Sequence, residues 1–112
     1  MHADTARGDL DRDAEARRAL VQVLRGDPDP RARRAALDRC GGELDPLLEA
    51  LVNDGDALVR RWAALALERA ARRPDAASRV RPALAQALCT EPDAAVRAIL
   101  SRLDRRLAAT PG

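Results

Sequence analysis

A chain of 112 residues suffices for one small domain with a modest core, not for two independent ones. Its 20 basic residues are all Arg and face 18 acidic ones, so the net charge of +2 makes a weak electrostatic case for nucleic acid. Phe and Tyr are absent and Trp occurs once; Ala and Leu dominate the apolar set, which suits closely packed helices and disfavours a sheet. The exclusive use of Arg fits coding bias in a GC-rich genome, or selection for bidentate contacts to carboxylate or phosphate.

Residues 1–10 are polar, contain Gly8 and show no periodicity, so they read as a flexible leader to a domain spanning residues 11–109. A first helix is expected from Asp11 or Asp13 to about Arg25, with Ala16, Ala19, Leu20, Val23 and Leu24 at the spacing of one face. After the turn Gly26–Pro30, Asp29 is placed to cap a second helix with Pro30 at its first position. That helix runs to about Cys40, where Gly41-Gly42 permits a left-handed cap. Asp45-Pro46 repeats the start signal for a helix from Leu47 to Val52 or Asn53. Asp56 caps the fourth helix, expected to reach Arg72 or Arg73 before Pro74 stops it. A helical turn follows over residues 75–81, then a break or kink at Pro82 and helix to Cys89. Asp93 caps a last helix that frays near Ala108 to Thr110. The expectation is six helices in three antiparallel pairs and no strands.

One phrase is written three times. Leu24, Leu51 and Leu88 close the first helix of each pair, and Asp27, Asp54 and Glu91 enter the turn. Asp29, Asp56 and Asp93 cap the second helix, whose buried face starts at Ala32, Val59 and Val96, each followed by an Arg: Arg33, Arg60 and Arg97. Arg33 to Arg60 is an offset of 27 residues, and Arg60 to Arg97 one of 37. Self-similarity at such a period is the mark of a helical solenoid. The phrase L..aL.D.d..VR..A...L resembles the HEAT-like repeat, particularly the short bacterial form found in phycobilin lyases and scaffold proteins. The resemblance covers about residues 14–107, with Ala32 and Cys40 departing from it in the first copy. It implies an all-α, short α-solenoid of about three hairpins. It also implies a hydrogen-bonded ladder between repeats, falling by position on Asp29, Asp56, Asp93 and Arg33, Arg60, Arg97.

Catalytic groups are scarce. His2 is the sole histidine and lies in the expected leader; there is no Lys for a Schiff base, no Tyr and no phosphate loop. Cys40 and Cys89 are too far apart in sequence for a metal or redox pair. No catalytic, metal or cofactor site is therefore assigned. No apolar run suits a signal peptide or membrane span, and the cytoplasm with reduced thiols is the default compartment. With Ala32, Val59 and Val96 as the centre of the buried face, about 100° per residue turns Arg34, Leu37, Arg61, Leu65, Glu68, Arg102 and Arg105 outward. By resemblance the second helices line a concave binding face. Its mixture of small, apolar and Arg residues suits an acidic or amphipathic peptide, or a second copy of the chain. Trp62 either fills space between repeats or anchors a ligand at the edge of that face. The favoured function is a non-catalytic binding or assembly scaffold. The alternative implied by the lyase resemblance is an accessory factor acting on a peptide or pigment; nucleic-acid binding ranks third.

Overall fold

The computed structural model describes residues 2–40 and 43–109. They form six helices: α1 (His2–Gly26), α2 (Pro30–Arg39), α3 (Leu44–Asn53), α4 (Ala57–Ala70), α5 (Ala77–Thr90) and α6 (Ala94–Ala109). No strand occurs among the described residues. The all-helical class and the number of helices agree with the sequence reading.

The three expected caps form as their chemistry dictates. The Asp29 carboxylate accepts from the Arg31 N–H at 2.9 Å, and Pro30 occupies the first helical position. Asp56 accepts from Leu58 and Val59 at 2.8 and 3.3 Å. Asp93 accepts from Val96 at 2.9 Å.

Four boundaries differ from expectation. Residues 2–10 are helical instead of a separate leader: α1 begins at His2. Ala3, Ala6, Arg7 and Leu10 are good helix formers, and one interior Gly, at a cost of about 1 kcal/mol against Ala, does not end a helix. Helix α3 starts at Leu44, with Glu43 at its cap making no side-chain hydrogen bond. Asp45 is thus inside the first turn instead of capping it. Burial of Leu44 favours the earlier start, and Pro46 is tolerated there because first-turn N–H groups have no intrahelical acceptor. Helix α4 ends at Ala70, and Arg72 and Arg73 lie in turns whose N–H groups reach Arg69 and Ala70 carbonyls at 3.3 and 3.2 Å. Helix α5 runs through Pro82 without interruption. One missing hydrogen bond is offset there by the buried side chains Val80, Leu84 and Ala87 on the same helix. The cap expected at Gly41-Gly42 lies outside the described residues.

Consecutive helices pack in pairs, α1 on α2, α3 on α4 and α5 on α6. The second members also pack side by side, α2 on α4 on α6, and the first members line up as α1, α3, α5. The result is two layers of helices, only 17 Å through the thinnest direction. The radius of gyration is 15.5 Å, larger than the roughly 13 Å of a compact domain this long. Between the layers, Leu47, Leu51, Leu67, Leu84, Leu100, Leu103, Val59, Val80 and Val96 are fully buried. Each such side chain contributes about 1.5–3 kcal/mol by leaving water. Cover is poorer at α1, where Leu20, Val23 and Leu24 stay half-buried although their counterparts Leu47, Ala50 and Leu51 are buried.

Candidate functional site

The turns that lead into α2, α4 and α6 share one polar construction. The acid that opens each turn accepts the N–H of the cap two residues later: Asp27 from Asp29 at 2.8 Å, Asp54 from Asp56 at 2.9 Å, Glu91 from Asp93 at 3.3 Å. An Arg from the first turn of the helix then reaches back to a carbonyl of its own turn. Arg33 donates to Asp27 O at 2.6 Å, Arg60 to Asp54 O at 2.8 Å, and Arg97 to Glu91 O and Pro92 O at 2.9 and 3.0 Å. The rest of the guanidinium grips the next turn's acid. Arg33 holds Asp54 through Nε and Nη2 at 2.8 and 3.1 Å, and Arg60 holds both Glu91 oxygens through Nε at 3.0 and 2.9 Å.

This ladder corrects the expectation in one respect. Its acceptors are Asp54 and Glu91, whereas Asp29, Asp56 and Asp93 are occupied in capping. The carboxylates are 2% and 4% exposed and the Arg side chains 15% and 12%, so both pairs are largely out of water. Hydrogen bonding to Asp54 raises the Arg33 pKa above its ordinary value. The recurrence of Asp27, Asp54 and Glu91 at one repeat position is the signal that marks them, beside the capping aspartates, as candidate acceptors.

The expected binding residues fall into two groups. Leu37 is not on the surface: it is 3% exposed, and its counterpart Ala64 is fully buried. The buried residues of α4 (Val59, Ala63, Ala64, Leu67 and Ala70) centre roughly 70° from Val59 toward Leu67. The reason is that α4 is covered on three sides, by α2, α3 and α6. Arg34, Arg102 and Arg105 are exposed, while Arg61, Trp62, Leu65 and Glu68 are half-buried. The Trp62 indole N–H donates to Asp38 at 2.6 Å, and the Arg34 guanidinium stacks 3.8 Å from the ring centroid. Glu68 is gripped by Arg102 at 2.6 and 2.8 Å, and its carbonyl accepts from Arg106 at 2.7 Å. The hydrogen bonds from Arg102 hold the Glu68 carboxyl below its ordinary range. Arg61 fits less well: Nη2 is 4.0 Å from Asp93, and its buried Nε has no partner.

The face of α2, α4 and α6 is therefore laced across its helix seams. Glu68 is paired with Arg102, Asp38 accepts the Trp62 N–H, and the exposed Arg34, Arg69 and Arg105 leave the face cationic. Asp38, on the outward side of α2 by the same helical geometry, belongs to this surface, as do Arg69 and Arg106, which were not singled out from sequence.

A concavity lies between α1 and α3. Two hollows of about 180 and 290 Å³ share Val21 and Pro46, with Leu20 and Leu24 lining one each. Exposed ion pairs flank them, Arg17 with Glu43 at 2.9 Å and Arg25 with Glu49 at 2.6 Å. Burial pushes the Cys40 thiol up, and its sulfur donates to the Ala36 carbonyl at 3.2 Å, while Cys89 is exposed. Among the described residues no three His, Cys, Asp or Glu side chains group so as to hold a metal ion. No helix among them is long and apolar enough to cross a membrane. No protein-family profile, curated protein or solved structure matches the chain.

Proposed function

We propose that this chain is a non-catalytic interaction module, a short HEAT-like solenoid of three helical hairpins that binds an acidic, amphipathic peptide along α2, α4 and α6. The observation that carries the reading is the charge balance of that layer. Glu68 is neutralised by Arg102 and the Asp38 carboxylate accepts the Trp62 N–H, whereas Arg34, Arg69 and Arg105 reach solvent around the half-buried Trp62 and Leu65. Cations around an indole and a leucine suit a helix carrying carboxylates beside one apolar stripe. Association is steered by charge and weakens as salt rises.

Trp62 is the chain's one tryptophan, so its emission reports occupancy of this face directly. A panel of acidic amphipathic peptides, titrated at low salt, is expected to include members that shift that emission saturably. Arg34→Glu/Arg69→Glu, two exposed changes, weakens those members at least tenfold and lowers the melting temperature by no more than about 4 °C, the scale of the lost stacking on Trp62. A panel with no binder, or binders indifferent to both changes, overturns the reading.

A further inference from the structure

Two complete rungs run through the molecule, Arg33 to Asp54 and Arg60 to Glu91, and each end of the ladder is left half made. At one end Arg97 is anchored through Nη1 to the carbonyls of Glu91 and Pro92, as Arg33 and Arg60 are anchored to theirs. No carboxylate among the described residues meets its Nε and Nη2, the edge with which Arg33 grips Asp54. At the other end Asp27 holds the position in its turn that Asp54 holds in the α3–α4 turn, with Oδ1 accepting the Asp29 N–H, and no Arg among the described residues grips it. The missing donor and the missing acceptor are at opposite ends of one molecule.

We propose that copies of this chain associate head to tail, Arg97 of one copy gripping the Asp27 carboxylate of the next and continuing the ladder across the junction. This contact goes beyond peptide binding by the α2, α4 and α6 face and does not depend on it.

Charge at a second repeat position supports the same occupant. Within the molecule Glu68 of α4 meets Arg102 of α6. Carried forward by one offset of 37, Glu68 becomes Arg105; carried back by 37 and 27, Arg102 becomes Asp38. Both are exposed, and the junction therefore sets Arg105 against Asp38, opposite charges with their signs exchanged. The bulk of Trp62 is absent there, since its counterpart on α2 is the exposed Ala35, facing the exposed Ala98 that stands for Arg61. Two helices can approach closely at such a place.

The junction is polar at its centre, because Ser101 and the exposed Asp104 replace the buried Ala64 and Leu67. Its cohesion is hence mainly ionic: modest, reversible and screened by salt. A head-to-tail contact is heterologous, so it generates chains or closed rings, not two-fold dimers.

Light scattering and sedimentation of the full chain test this, over a concentration series up to about 1 mM at low and high salt. The wild-type mass is expected to rise with concentration at low salt and fall toward one chain at high salt. Asp27→Asn keeps the Oδ1 that holds its turn but removes the charge, and Arg97→Gln removes the donor. Each is expected to weaken association about tenfold or more, the scale of a charged hydrogen bond. An equimolar mixture of the two variants restores one good junction and stops at two chains, because each variant keeps the end the other lacks. Arg105→Glu, an exposed change outside the ladder, also lowers the mass, and a thermal melt of every variant separates lost contact from lost fold. A wild type that stays a single chain at low salt overturns the proposal. So does an oligomer that none of these changes alters.

Discussion

Arg60 joins three elements at once: Nε lies 3.0 and 2.9 Å from the two oxygens of Glu91, while Nη1 donates to the Asp54 carbonyl at 2.8 Å. Both side chains are largely out of water, so deleting one strands the other. Arg60→Ala leaves the Glu91 carboxylate buried without its cation, a loss of about 3 kcal/mol, or roughly 12 °C in melting temperature for a domain of this size. Arg97→Ala removes the same residue type at the exposed end of the ladder and is expected to cost under about 1 kcal/mol. Replacing both Arg60 and Glu91 by Met should recover much of the loss, because no charge is then left unpaired. Equal melting curves for Arg60→Ala and Arg97→Ala would contradict this account.

The caps separate in the same way. Asp56 accepts two backbone N–H groups at the start of α4, and Asp56→Ala is expected to cost about 1 kcal/mol. Asp45, which the dipeptide Asp45-Pro46 marks as a cap, lies inside α3 and pairs with Arg79 on the surface instead. Asp45→Ala should therefore change stability by less than about 0.5 kcal/mol. Urea unfolding of the two variants decides the matter: a larger loss at Asp45 would restore it as the cap.

What could be read in advance was local or repeated. A cap needs only its own turn, so Asp29, Asp56 and Asp93 were legible one by one, and the six helices followed from start and stop signals. The ladder's arginines were legible because they recur; their acceptors recur as well, but so do the capping aspartates, and recurrence alone does not choose between the two sets. Asp54 and Asp56 sit two residues apart in one turn, and only the placement of α2 beside that turn brings Asp54 to Arg33. Leu37 was placed on the outward face for a related reason. Taking Val59 as the centre of burial treats α4 as if it had one neighbour, whereas α2, α3 and α6 together draw Leu37 and Ala64 inward. The Trp62 contact to Asp38 spans two helices and has no trace in sequence spacing. Residues 2–10 are polar and contain Gly8, which masks in the sequence the helix propensity that carries α1 back to His2.

Stability should fall in acid through identifiable groups. Hydrogen bonds from Arg102 lower the pKa of Glu68, and the Arg31 N–H lowers that of Asp29. The folded state therefore releases these protons at lower pH than the unfolded state, which takes them up in the ordinary carboxylate range, about pH 4. Their contribution is complete above that range and is lost as pH falls through the depressed values. Melting temperature should be level from neutral pH to about 5 and decline below it, with a shallower decline in Glu68→Gln. A decline of the same slope in that variant would remove Glu68 from the explanation.

The two thiols should differ in reactivity. Cys40 is 9% exposed, its sulfur donates to the Ala36 carbonyl, and burial raises its pKa, all of which disfavour the thiolate that alkylating reagents attack. Cys89 is exposed near the end of α5. Iodoacetamide under native conditions is expected to add one group, at Cys89, and a second only in denaturant. Native labelling of Cys40 at a comparable rate would mean that α2 opens readily at its C-terminal end.

Trp62 is expected to stabilise the α2–α4 seam through its ring as well as its N–H. Arg34 stacks 3.8 Å from the ring centroid while remaining exposed, a geometry that contributes about 0.5–1 kcal/mol. Trp62→Phe keeps a ring but gives up the bond to Asp38, and because Asp38 is exposed its carboxylate is rehydrated, so the loss should stay near 1 kcal/mol. A cycle combining Arg34→Ala with Trp62→Leu isolates the stacking, and its coupling energy should be about 0.5–1 kcal/mol and persist in moderate salt. A coupling near zero would mean that Arg34 merely rests against the indole. The cation would then be wholly free for a ligand, and Arg34→Ala should weaken peptide binding without lowering the melting temperature; a measurable coupling predicts instead that binding and seam stability weaken together.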